Sequence, residues 1–135
     1  MKSKIKTLFA ILSICVCTTL GAVVAGAHMN LVPNLSTTLT VVKAVPVNLG
    51  GYNFSNPNAA IIYIQVFDAA ATGAITLGTT TPIASIAIPA YGVTDSGPTF
   101  TGGFAFLTGI VVAATTTPTG NTAPTTAINA NFYTN

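Results

Sequence analysis

The sequence predicts an all-β fold, a single antiparallel β-sandwich that follows an N-terminal export segment. Three observations carry this. From residue 37 onward Thr, Val and Ile dominate, the residue types that fit a pleated, half-buried surface. Pro and Gly recur at short intervals, as turn punctuation does. Outside the first segment no window carries a helical apolar stripe. Roughly six to eight short strands with regular turn signals point to a jelly-roll or immunoglobulin-like sandwich.

The elements follow in order. Lys2, Lys4 and Lys6 precede an apolar run from Leu8 to Ala27 that closes on Ala25-Gly26-Ala27. A basic start, an apolar middle and a small-residue end make a signal peptide over 1–27, with the cut expected after Ala27. The alternative is an uncleaved anchor, since about twenty apolar residues can span a bilayer. Lipidation of Cys15 or Cys17 is disfavoured: Ile14 is bulky beside Cys15, and apolar sequence continues past both cysteines. Residues 28–36 form an extended lead, and the sandwich occupies 37–135.

Within the domain, 37–47 (TTLTVVKAVPV) is strand-like, with Pro46 marking an end, edge or bulge. Residues 48–56 alternate after a Gly pair, placing Tyr52 and Phe54 on one face. Asn56-Pro57-Asn58 is a compact turn. Residues 59–68 (AAIIYIQVFD) are apolar on both faces, as a central covered strand is. A Gly/Thr-rich passage fills 69–82, and 83–90 is a strand ended by Pro89. Residues 91–99 read as a loop. The run 100–116 holds one or two strands, its TGGFAFLTG portion read as a bulged strand. A loop at 118–126 leads to a last strand at 127–133, where Ile128, Ala130 and Phe132 alternate with Asn129, Asn131 and Tyr133.

Removing the export segment changes the charge. Lys43, Asp68 and Asp95 are then the only clearly charged side chains, a formal net charge of −1 with His28 neutral. No basic patch remains for a phosphate backbone, so nucleic acid is excluded as a partner. Both cysteines leave with the export segment, so no disulfide braces the exported domain. A nearly uncharged surface resists association weakly and suits a protein that packs against copies of itself.

Catalytic chemistry has few carriers. His28 is the only histidine and sits at the expected exported terminus. Asp68 and Asp95 would be the only carboxylate pair. Asp68 ends a strand and is expected to cap the turn after it, so that Asp68→Asn costs little. Asp95 lies in a Gly/Pro-flanked loop and is likewise a turn residue, with Asn56 and Pro57. Neither zinc nor calcium finds a ligand set. No catalytic residue, cofactor or metal is expected. Lys43 is a solvated strand residue whose pairing with an Asp would add about 0–1 kcal/mol. Tyr52, Tyr63, Tyr91 and Tyr133 are the contact candidates, either for stacking on sugar rings or as core margins.

The runs VVKAVPVNLGGYNFSNPNAAIIYIQVFD, GTTTPIASIAIPA, FTGGFAFLTGIVVAAT and AINANFY together resemble a small β-sandwich family of tailed-phage structural gene clusters and related bacterial sequences. The resemblance covers residues 41–133. It implies a virion- or surface-associated accessory domain without established chemistry. Gln65 stands where a Lys is common before the aromatic-Asp pair, and the export segment favours an exported bacterial protein.

The expected function is therefore a secreted, non-catalytic structural protein of a cell surface, filament or virion-like particle, exported by the general secretory route. It would form a homo-oligomer or larger assembly, by strand addition with 28–36 or the strand after it as donor. It would meet the membrane only through its N-terminal segment. The alternative is a carbohydrate- or receptor-binding module that uses surface Tyr and the Thr/Asn loops 91–99 and 118–126.

Overall fold

A computed structural model describes residues 26–97 and 103–135. Residues 1–25 of the expected export segment therefore lie outside the described residues. Nine strands follow: β1 (His28–Leu35), β2 (Thr40–Lys43), β3 (Val47–Ser55), β4 (Ile62–Asp68), β5 (Ala84–Ile88), β6 (Val93–Asp95), β7 (Phe104–Phe106), β8 (Ile110–Thr115) and β9 (Ile128–Thr134). One short 3-10 turn, Thr72–Ala74, interrupts the β4–β5 connection.

The strands form two antiparallel sheets. Sheet A runs β1-β9-β3-β6, with β7 also pairing β3, and sheet B runs β2-β8-β4-β5. The pairing is nested. β1 pairs β9, β2 pairs β8, β3 pairs β6 and β7, and β4 pairs β5. Strand alternation sends one set of side chains from each sheet inward. Val32, Leu35, Leu49, Phe54, Ile128, Ala130 and Phe132 of sheet A meet Ile62, Ile64, Val66, Ile88, Ile110, Val112 and Ala114 of sheet B in one cluster. Phe54 and Phe132 touch at a ring-centroid distance of 5.1 Å.

A second, smaller cluster explains why β4 and β8 are apolar on both faces. Phe67 and Val111 point out of sheet B and are covered by Ala69 and Ile75 from the β4–β5 connection, with Leu39 and Leu77 alongside. Gln65, fully buried on the same outer side, donates its amide to Thr115 Oγ1 and the Gly120 carbonyl, both at 2.8 Å. The Gly/Thr-rich passage and the 115–120 loop therefore act as a lid over sheet B, while among the described residues the outer face of sheet A is covered only where Ser96 and Gly97 pack on Gly51.

Four expectations change. The lead 28–36 is extended, but His28–Leu35 pairs with β9 from His28↔Thr134 to Leu35↔Ile128, so the sheet begins at His28. That segment is engaged within its own chain and is not a free donor. As an edge strand it carries Pro33 and a register shift between Val32 and Leu35, with Asn34 at φ 54. Such features blunt edge-to-edge pairing. The stretch 37–47 breaks after Lys43, where 44–46 carries the chain to the other sheet. The loop 91–99 contains β6, three residues whose backbone pairs with Asn53–Ser55. Of the described residues of TGGFAFLTG, only Phe104–Phe106 is strand, β7 of sheet A, and 107–109 carry the chain to β8 of sheet B.

The turn between β7 and β8 is where Asp68 acts. Register places Asp68 opposite Ile110, the first residue of β8. Its carboxylate accepts from the Thr108 hydroxyl (2.6 Å), the Thr108 N–H (2.8 Å), the Leu107 N–H (3.0 Å) and the Gly109 N–H (3.2 Å). Asp68 thus holds a turn some forty residues away rather than the one after its own strand. The Thr108 hydroxyl first, then the Leu107 and Thr108 N–H groups, lower its pKa from 3.8 to about 2. The folded value lies below the unfolded one, so the contribution is present above about pH 4 and is lost as pH falls through about 2. Asp68→Asn should flatten that part of the acid-unfolding curve, because one side-chain amide cannot accept from both Oδ positions. Tm measured from pH 5 to pH 2 for both proteins tests this, and parallel curves would contradict the assignment.

Candidate functional site

Two turns meet at the end of the sandwich where β3 passes to β4 and β5 passes to β6. Asn56 and Asn58 bind them together. Both are buried, at 2 % and 6 % exposure. The Asn56 amide donates to the carbonyls of Ala60 (2.9 Å), Pro89 (2.9 Å) and Ile88 (3.3 Å). Its Oδ1 accepts from the backbone N–H and the side-chain amide of Asn58, both at 2.9 Å. Its own N–H donates to the Gly92 carbonyl at 2.9 Å. Asn58 then reaches a third loop: its Oδ1 accepts from the Thr126 N–H (2.6 Å) and its amide donates to the Thr126 carbonyl (2.8 Å). Two short polar side chains thus take the place of backbone pairing where three loops converge.

This clamp presents Tyr91. The Tyr91 N–H donates to the Asn58 carbonyl at 2.9 Å, and Gly92 N–H closes the turn on Pro89 at 3.1 Å. Tyr91 lies at φ 50 in the left-handed region and is 76 % exposed. A bulky residue there is strained, and such strain persists only where the surroundings over-determine it. Pro57, Ala59, Ala60, Ile61, Pro89, Ala90 and Val93 are exposed around it. The site is an apolar, uncharged tip crowned by one aromatic ring and held by a buried amide pair.

Of the sequence-derived candidates, the structure brings Tyr91, Asn56 and Pro57 together here and leaves the others apart. Tyr52 faces inward, stacked on Phe54 at 4.7 Å and 7°, and borders an apolar cleft of about 180 Å³ that Ile83 and Phe104 also line. Tyr63 points out of sheet B opposite Thr115 and Ala87. Tyr133 points out of sheet A opposite Met29 and Gly51. Asp95 closes its own turn, accepting from the Gly97 N–H at 2.7 Å. That turn packs so closely that a Cβ on Gly51 would run into the Gly97 carbonyl. His28 is exposed at the start of β1.

Comparison with family models, with curated proteins and with solved structures found no match. Among the described residues, no group of three or more His, Cys, Asp or Glu side chains is placed to hold a metal ion. The available chemistry of the tip is that of a contact surface: an exposed aromatic ring on a fixed backbone, apolar neighbours and the exposed Thr125 and Thr126. Sequence reading marked Asn56-Pro57-Asn58 as a turn but missed that Asn58 seizes Thr126 and that Tyr91 takes a positive φ. The Asn-Pro-Asn spacing and the Tyr91-Gly92 pair were the available signals.

Proposed function

We propose that this chain is an exported, non-catalytic structural protein with a jelly-roll fold that works by associating with copies of itself, at a cell surface, in a filament or in a virion-like particle. The nested strand order, first with last and inward to the β4–β5 hairpin, supports the jelly roll. The observation that carries the function is the Tyr91 tip. A large exposed aromatic side chain on a backbone already fixed by hydrogen bonds needs no loop ordering when a partner covers it. The near absence of charge removes the repulsion that keeps like molecules apart. The tip replaces strand addition as the contact, since β1 is already paired and its edge is interrupted.

The test is light scattering on the full chain across a concentration series, with Tyr91→Gly beside it. Glycine relieves the positive φ, so stability should hold or rise by up to about 1 kcal/mol. Removal of the ring should weaken association by roughly 30-fold, the effect of losing an aromatic hot spot. A parent chain that stays monomeric at every concentration would overturn the reading. So would a variant that associates as the parent does.

A second reading, a carbohydrate- or receptor-binding module, is favoured by one observation: Asn58 draws the 118–126 loop beside the Tyr91 turn, joining two Thr/Asn-containing loops at one end. A glycan array probed with the parent and Tyr91→Gly tests it, binding that depends on Tyr91 being the expected result.

A further inference from the structure

The outer face of sheet A carries a row of side chains, two of them amides that make no hydrogen bond among the described residues. Leu31, Asn131, Asn53 and Asp95 stand opposite one another across β1, β9, β3 and β6. They point outward, because Val32, Ala130, Phe132 and Phe54 at the alternate positions fill the core. At the usual strand spacing the row is roughly 14 Å long. The next row toward the tip holds Asn129, Ser55 and Val93, and on the other side Tyr133 stands beside Met29.

Several amides elsewhere in the chain hold its own structure together. Asn30 donates to Thr134 Oγ1 (2.9 Å), and Asn56 and Asn58 tie down loops. The side chains of Asn53 and Asn131, half-buried at the middle of the row, have no hydrogen-bond partner among the described residues. Each offers two donors and an acceptor. At the end of the row Asp95 commits Oδ1 to Gly97 and leaves Oδ2 as an acceptor.

We infer that this row is a binding site for a neutral glycan chain. A hydroxyl both donates and accepts, so a polyhydroxylated ligand matches groups that do both. Strand spacing brings successive amides to successive sugar units, and Tyr133 and Leu31 supply the apolar surface that a sugar ring face covers. The sign of charge selects against acidic polymers: among the described residues the face carries one carboxylate and no cation. The site is distinct from the Tyr91 tip and does not depend on association.

The experiment follows the side-chain amide resonances of the isotope-labelled full chain by NMR while cellohexaose, laminarihexaose, mannohexaose or an oligogalacturonate is added. The expected result is saturable movement of the Asn53 and Asn131 amides with a neutral oligosaccharide and not with the acidic one. Asn53→Ala and Asn131→Ala should each weaken binding about tenfold with an unchanged melting temperature. The inference fails if no neutral oligosaccharide moves these resonances, if both variants bind as the parent does, or if the movement maps to Tyr91 instead. It also fails if the same resonances shift with protein concentration alone, which would make a second copy the occupant. Light scattering reports association separately, so this inference and the proposed function can fail independently.

Discussion

Ile64→Asp is expected to abolish folding. Ile64 lies at the middle of β4, fully buried, with Ile86 of β5 on one side and Ala114 of β8 on the other. Its side chain points between the sheets into the shared core, where no cation or polar group stands ready to meet a carboxylate. An unpaired charge there must stay charged at a large desolvation cost or take up a proton and leave a polar group unsatisfied. Either cost is comparable to the whole stability of an ordinary domain, about 5–15 kcal/mol. A graded series separates polarity from size. Ile64→Val should cost about 0.5–1.5 kcal/mol and Ile64→Ala about 2–5 kcal/mol, both still folding cooperatively. Ile61→Asp, three residues earlier and half exposed, should fold normally. Circular dichroism and amide NMR dispersion measure all four. A cooperative melt for Ile64→Asp would mean that β4 does not occupy the centre of the molecule.

The core was legible because burial writes itself into residue type. The double apolarity of 59–68 predicts a covered central strand, and β4 lies between β8 and β5 with Ala69, Ile75 and Leu77 covering its outward Phe67. The alternation of 127–133 predicts one wet face, and β9 has one. Elements defined by partners instead of periodicity were not legible. β6 is three residues long, too short to show a period, and exists because Asn53–Ser55 offers it an edge. β1 contains Pro33 and a left-handed Asn34, which read as a lead until β9 pairs with it. The same reason hid the role of Asp68. A carboxylate's local turn preference is visible in sequence, but the turn it holds belongs to residues 107–109. The tip was half legible: the Asn-Pro-Asn turn was visible, and its long-range partners Pro89 and Thr126 were not.

Asn56→Ala should therefore destabilise far more than a surface turn substitution does, and it should loosen the tip before the sandwich. The change removes a partner from three carbonyls, those of Ala60, Ile88 and Pro89, the last of which keeps the Gly92 N–H, and from two donors on Asn58, whose side-chain amide keeps the Thr126 carbonyl. A buried unsatisfied group costs about 1–3 kcal/mol. Water entering the vacated space can satisfy some of the five, so the expected loss is about 3–5 kcal/mol in chemical denaturation. Asn56→Asp keeps the shape and the acceptor but sets a carboxylate against those carbonyls. Its folded pKa must rise, so its destabilisation should be severe at neutral pH and relieved on acidification, when the carboxyl can donate again. Hydrogen exchange at the Tyr91 and Thr126 N–H groups, which bond to the Asn58 carbonyl and Oδ1, should accelerate in Asn56→Ala well before that of β4 or β8. Association through Tyr91 should weaken in step, because the backbone that carries the ring would no longer be held in one place. If Asn56→Ala melts with the parent protein, the amide pair is not what holds the tip. If it loosens the tip while association is untouched, Tyr91 is not the contact.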